Sequence, residues 1–159
     1  MTTAASLSYS HLCTPLGNLW VGESEAGIAE IAFRDGESNC VNSPLLCEAI
    51  DQLQGYFAGR LTQFTFPMAP MGTDFQRSVW RALLDVPYAN TCSYSDIAGA
   101  IKKPKAVRAV GAANGRNPIA IVVPCHRVIG ANGSLTGYNG GLHRKQWLLE
   151  HEAKNRRAP

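Results

Sequence analysis

Ser93-Tyr94-Ser95-Asp96-Ile97-Ala98-Gly99-Ala100-Ile101-Lys102-Lys103-Pro104-Lys105-Ala106-Val107-Arg108-Ala109-Val110-Gly111-Ala112-Ala113 holds two short helical patterns around a compact break. Ser93 stands where a helix N-cap would, with Asp96 three residues on in place of the usual Glu or Gln of a capping box, and the first helix is expected to reach Ile101. Lys102-Lys103-Pro104 breaks the chain. A second helix follows from Lys105 to about Ala113, with Ala106, Val107, Ala109, Val110 and Ala112 turned inward and Lys105 and Arg108 outward. Two short helices joined by a tight turn, the second rich in small residues and bearing a projecting arginine, form a helix-turn-helix pattern. Ala106, Ala109, Gly111, Ala112 and Ala113 would let that backbone approach a nucleic-acid groove closely. The same small residues also suit packing against the first helix.

Downstream, Asn114-Gly115-Arg116-Asn117 ends the second helix and leads to Pro118-Ile119-Ala120-Ile121-Val122-Val123-Pro124-Cys125-His126-Arg127. The apolar run Ile119 to Val123 reads as an extended segment buried on both faces, and Pro124 denies it further ladder pairing. It ends in a thiol, an imidazole and a guanidinium. A free cysteine has a pKa of about 8.5, so a thiolate at neutral pH needs a cation or hydrogen-bond donors, and His126 and Arg127 are the neighbouring groups able to serve. The alternative reading of Cys125 is a buried structural cysteine. Two glycine-rich loops, Gly130 to Gly133 and Gly137 to Gly141, flank Ser134 to Thr136 and would wall a pocket against which Tyr138 could pack; hairpin turns are the simpler reading. No phosphate-loop lysine pattern is present. A last helix, about Leu142 to Glu152, carries Leu142, Trp147, Leu148 and Leu149 as packing residues. Glu152 near its end is placed to orient His126 as the third member of a Cys-His-carboxylate relay.

Upstream, Thr73 reads as the N-cap of a helix with Phe75, Val79, Trp80, Leu83 and Leu84 on its apolar face, stopped by Pro87. Leu7 to Cys13, Asn18 to Gly22 and Ile28 to Phe33 read as an antiparallel meander, and Ser43-Pro44 as the start of a helix to about Ala58. The expected organisation is therefore α+β: a small N-terminal antiparallel-sheet domain with a helix over 1–66, a linker over 67–72, and a mainly helical, winged-helix-like domain for DNA binding and catalysis over 73–159. Charge divides along the same line. The chain carries a net +3, but residues 1–66 hold two basic and seven acidic residues, and residues 67–159 thirteen basic and five acidic. A basic half of this kind fits a polyanion. The five cysteines, Cys13, Cys40, Cys47, Cys92 and Cys125, follow no disulfide or zinc-ribbon spacing, and His11 with Cys13 is too small a ligand set for a metal. Neither a signal peptide nor a membrane span is legible, so a cytoplasmic protein without membrane contact is expected.

Pro124-Cys125-His126-Arg127-Val128, with Asn117-Pro118 before it and Gly137-Tyr138-Asn139-Gly140-Gly141 and Trp147-Leu148-Leu149-x-His151-Glu152 after it, resembles the 6-O-alkylguanine-DNA alkyltransferases, the methylated-DNA-protein-cysteine methyltransferases. The resemblance covers about Thr73 to Glu152 and implies a self-inactivating repair protein. Its expected partner is double-stranded DNA carrying alkylated guanine, bound by a monomer whose cooperativity along DNA is open, with no cofactor. It implies Cys125 as the alkyl acceptor, His126 as a base reached through a water, Glu152 as its orienter and Asn117 as the brace of the turn. Tyr94 would crowd the target phosphate and hydrogen-bond the ring nitrogen, and Arg108 would fill the base stack. Lys105, Ala106, Ala109, Gly111, Ala113 and Asn114 would line the DNA contact. Pro124, the main-chain carbonyls of Cys125 and Val128, and Tyr138, Asn139 and Lys145 would form the base pocket. Ser24 and Ala29 stand at two positions where some members bind zinc, so no metal is expected. Two other classes fit parts of the pattern: a cysteine hydrolase or thiol transferase acting on a small substrate, and a non-catalytic helix-turn-helix DNA binder.

Overall fold

A computed structural model describes residues 7–36 and 40–156, which fall into two compact units, Met1–Met71 and Gly72–Pro159. In the first, β1 (Ser8–Thr14), β2 (Gly17–Ser24) and β3 (Gly27–Phe33) form an antiparallel meander in the order β1-β2-β3. Helix α1 (Pro44–Phe57) covers one face. Ser43 caps it, its hydroxyl accepting from the Leu46 amide, and Pro44 occupies the first turn where no amide partner is needed. Alternation along the strands turns Leu12, Leu19, Val21 and Ile31 inward, where they meet Leu46, Leu53 and Tyr56 in a closed apolar layer. Pro67 to Ala69, inside the expected linker, are tied to β3: the Ile28 amide donates to the Pro67 carbonyl at 3.0 Å and the Ala69 amide to the Ile28 carbonyl at 2.7 Å. Gly27 permits that approach, since a Cβ there would lie 2.9 Å from the Pro67 oxygen.

The second unit contains α2 (Asp74–Leu84), β4 (Cys92–Ser93), α3 (Tyr94–Ala100), α4 (Val107–Gly115), β5 (Val128–Ile129) and α5 (Leu142–Lys154). Ser93 forms the expected capping box with Asp96, and Thr73, expected as an N-cap, forms a complete box as well, with Gln76. Helix α4 starts two residues later than its sequence pattern, at Val107, and has no side-chain cap. Its inward face also differs. Val110, Ala113 and Asn114 are buried, whereas Ala109 and Ala112 are exposed with Arg108. Trp80 explains the phase: its indole N–H donates to the Ala113 carbonyl at 2.9 Å, so α4 presents its C-terminal half to α2. The second sheet is a two-residue parallel pairing of β4 with β5. It joins the entrance of the helix-turn-helix to the residue that follows Arg127.

Candidate active site

Ile119 to Val123 are buried as expected, Ala120 partly, but they form a compact turn and not a strand. The Val123 amide donates to the Ile119 carbonyl at 3.0 Å, and Ile121 sits in the left-handed region at φ 73°, a costly place for a β-branched residue. Asn117 takes the place of the missing strand partner. Its Nδ2 donates to the Val123 carbonyl at 2.8 Å and lies 3.3 Å from the Ile119 carbonyl, and its Oδ1 accepts from the Ile119 amide at 3.0 Å. The same Nδ2 lies 3.1 Å from the Cys125 sulfur. One side chain thus shapes the turn and supplies the thiol with a donor. Pro124 leads into a single 3-10 turn, Cys125–Arg127, and Val128 then enters β5.

Cys125 is 6 % exposed. Burial pushes its thiol up, while the Asn117 hydrogen bond and the Lys145 ammonium pull the other way without overcoming it. Arg127, read from the sequence as a group able to activate the thiol, does not serve it. Its guanidinium turns to Glu152, with Nε 2.8 Å from Oε1 and Nη2 3.1 Å from Oε2, while Nη1 donates to the Val86 carbonyl at 2.7 Å. The buried carboxylate is the stronger partner, and the cation nearest in effect to the sulfur is Lys145.

Glu152 is fully buried on α5 and gathers donors from three places. Besides Arg127 it accepts from the Ala89 amide at 3.1 Å and pairs with His126 Nε2 at 2.6 Å. Burial alone would raise its carboxyl, but the hydrogen bonds from His126 and Arg127 and the charge of the Arg127 guanidinium hold it far below the usual carboxylate range. It is therefore an ionised acceptor, which assigns the His126 ring proton to Nε2. Burial, together with the Arg127 and Lys145 charges, pulls the imidazole down by more than Glu152 raises it, which favours the neutral ring with its lone pair on Nδ1. That atom is buried and has no hydrogen-bond partner among the described residues.

Around this core the structure gathers most, but not all, of the residues singled out from the sequence. Lys145 is wholly buried, its Nζ donating to the Val128 carbonyl at 2.5 Å and to the Thr136 carbonyl at 2.8 Å. Tyr94 shares a 2.7 Å hydroxyl hydrogen bond with Thr136. Tyr138 has a buried hydroxyl with no partner among the described residues; burial and the nearby Cys125 raise it well above the tyrosine range. Asn139 is exposed on the loop before α5. On α4 and just before it, Lys105, Arg108 and Ala109 are exposed, and Ala106 and Gly111 are half-buried. A Cβ on Gly111 would lie 3.9 Å from the Tyr94 ring, which places that ring against α4.

Two expected groove contacts fall elsewhere. Ala113 is 2 % exposed beneath Trp80, and Asn114 is 4 % exposed with its Nδ2 3.4 Å from the Cys125 carbonyl. Asn114 is therefore a strut between α4 and the thiol turn. Thr136, which anchors both Tyr94 and Lys145, carried no signal in the sequence. Among the described residues no group of three or more His, Cys, Asp or Glu could hold a metal ion, and no helix is long and apolar enough to cross a membrane.

The fold and site together define a helix-turn-helix protein whose second helix runs into a cysteine backed by a histidine and a carboxylate. Residues 74–154 match the 6-O-methylguanine DNA methyltransferase, DNA binding domain, and residues 7–70 the ribonuclease-like domain of the same proteins. The chain belongs to the 6-O-methylguanine DNA methyltransferase family. It is 46 % identical over 156 residues to the methylated-DNA--protein-cysteine methyltransferase of Methanosarcina barkeri, covering 94 % of this chain and 99 % of that one. The corresponding protein of Mycobacterium tuberculosis is 61 % identical over 111 residues, 70 % of this chain and 66 % of its own. Among solved structures, the M. tuberculosis O6-methylguanine methyltransferase superposes with a TM-score of 0.87 at 44 % identity over 97 % of both chains. A complex of the M. tuberculosis protein with DNA gives 0.86 at 46 % identity, over 93 % of this chain and 94 % of that one.

Proposed function

We propose that this protein repairs DNA in the cytoplasm by direct reversal, moving a methyl or small alkyl group from the 6-oxygen of guanine to the Cys125 sulfur, once per molecule. The observation that carries the reading is the buried relay itself: a thiol held by Asn117 beside His126, whose Nε2 pairs with Glu152 and whose Nδ1 has no partner among the described residues. The thiol proton passes to Nδ1 through a water, and the sulfur attacks the alkyl carbon in line. The sulfur–carbon bond forms as the carbon–oxygen bond breaks. Tyr94, set against α4, donates to the departing guanine, so the base need not leave as an anion, and the His126 proton completes the balance. The product is a thioether, which water in the site does not cleave, so the arrangement that turns over in a hydrolase fires once here.

An alkyl carbon inside a base stack cannot be approached in line by a protein sulfur, so the nucleotide leaves the duplex at a cost of about a few kcal/mol. Arg108, exposed on α4, offsets part of this by filling the gap. Exposed Lys105, Arg108 and Ala109 form the docking face, and their contacts are mainly to phosphate and shape, so binding weakens with salt and discriminates little among sequences. Pro124, the Val128 carbonyl, Tyr138, Asn139 and Lys145 border the base. Residues 73–159 carry docking and chemistry, and 1–66 support them.

Mass spectrometry after mixing with an oligonucleotide holding one O6-methylguanine tests this. One methyl per chain is expected on the peptide containing Cys125, with none in Cys125→Ser; turnover, or a methyl on Cys13, Cys40, Cys47 or Cys92, refutes the assignment. Arg108→Ala is expected to slow transfer from duplex by about tenfold or more, the equivalent of 1.4 kcal/mol of lost stacking, and to leave transfer from the free modified base unchanged. Equal losses on both substrates would remove Arg108 from the stack.

A further inference from the structure

Arg127 makes three hydrogen bonds in the buried cluster behind the sulfur, yet no step of the transfer above uses it. It is 7 % exposed, spans both oxygens of Glu152, anchors to the Val86 carbonyl, and lies 5.6 Å from the centroid of the Tyr88 ring. Each oxygen of Glu152 is therefore shared: Oε2 between His126 and Arg127, and Oε1 between Arg127 and the Ala89 amide.

That sharing has a chemical consequence. A carboxylate 2.6 Å from an imidazole ordinarily favours the imidazolium, because opposite charges in a dry site attract strongly. A ring protonated in that way carries hydrogen on both nitrogens and cannot take the thiol proton. With the guanidinium fixed on the same carboxylate, Glu152 and Arg127 already cancel. A proton added to His126 would then leave the cluster with a net positive charge, next to a second buried cation, Lys145. The charged groups that act on the ring are Glu152 and Lys145 from α5 and Arg127 from its own turn, with the Cys125 thiol its chain neighbour and Tyr138, from the loop before α5, coupled to Cys125 and Glu152. Burial disfavours the charged ring, Glu152 favours it, and Arg127 and Lys145 oppose it.

We infer that Arg127 is a positioning residue that holds the charge of Glu152 to itself, so that His126 stays neutral with Nδ1 open as the base for Cys125. The inference rests on the alkyl-transfer reading. It explains why an arginine follows the histidine directly: the 3-10 turn sends both side chains to one carboxylate. Only a guanidinium can reach both of its oxygens and a carbonyl at once.

The test is the pH dependence of single-turnover alkyl transfer from a free O6-alkylguanine base, which leaves DNA docking out of the measurement. For Arg127→Gln the acidic limb of the profile is expected to move to higher pH by about one unit or more, the shift that loss of one buried compensating charge brings. On the acidic side of the limb a one-unit shift is a rate loss of about tenfold, which shrinks through neutrality and has closed by about pH 9. Arg127→Lys, which keeps the charge, restores most of the limb. A uniform loss at every pH in Arg127→Gln, or no recovery in Arg127→Lys, makes Arg127 a structural brace and overturns the inference. Nitrogen-15 NMR of the wild-type ring gives a reading that needs no variant: a neutral Nε2–H tautomer at pH 7 is expected, and a doubly protonated ring overturns it. Absence of any alkyl on wild-type Cys125 would instead sink the alkyl-transfer reading.

Discussion

Glu152→Ala is expected to cost about 3–5 kcal/mol of folding stability and to slow alkyl transfer by about 10²–10⁴-fold. The stability loss does not come from the carboxylate's own contacts alone. Removing it leaves the Arg127 guanidinium buried without its counter-charge, and strands the Ala89 amide and His126 Nε2–H as unpartnered donors. The rate loss follows because nothing then fixes the ring proton on Nε2, and a tautomer with hydrogen on Nδ1 cannot accept from the thiol. Glu152→Gln keeps the acceptor oxygen but not the charge and should fall between. The same group predicts how stability varies with pH. Its carboxyl is held below its unfolded value, so its contribution is fully present above about pH 4.3 and is lost as pH falls from there toward the lower folded value. Urea unfolding at pH 7 and pH 3 should show a steeper acid loss in wild type than in Glu152→Ala. Parallel losses would mean that other carboxylates govern the acid limb.

Asn117→Ala is expected to destabilise by about 2–4 kcal/mol and to slow transfer at neutral pH by about tenfold. The side chain satisfies the Val123 carbonyl and the Ile119 amide, and leaving buried backbone groups unpaired costs about 1–3 kcal/mol apiece, not fully additively. The turn it holds also contains Ile121 at positive φ, whose cost must be met by surrounding contacts. The rate effect is separate. Without the Nδ2 donor the sulfur keeps only Lys145 and its own backbone amide against the burial that raises its thiol, so a smaller fraction ionises and the dependence of transfer on pH moves upward. Asn117→Asp distinguishes the two roles: it can keep the bond from the Ile119 amide, but places an acceptor where the thiol had a donor. Full recovery of rate in Asn117→Asp would rule out the donor role.

Local rules carried the sequence reading a long way. The N-cap at Thr73, the capping box at Ser93, the Ser43-Pro44 helix start and the turn signals between strands each depend on neighbours within a few residues, and the structure places all of them as expected. What failed required tertiary partners. The apolar run Ile119 to Val123 has the composition of a buried strand, and only the reach of Asn117 back over it makes it a turn. Alanines fit either side of a small helix, so the pattern alone does not set the inward face of α4; the Trp80 indole, 33 residues away, sets it. Arg127 was assigned to its chain neighbour Cys125. A carboxylate 25 residues further along has the stronger claim, and that distance is invisible to spacing arguments.

The last turn of α5 is where an isolated helix would open first, since its carbonyls lack partners and its amides close few contacts. In this protein that turn carries Glu152, pinned by His126, Arg127 and Ala89. Unwinding it means separating a buried ion cluster, so the segment most prone to fray elsewhere is here among the last to come apart. The readiness of the sulfur to react is thereby coupled to the integrity of a helix end: opening that final turn takes away the carboxylate that orients His126.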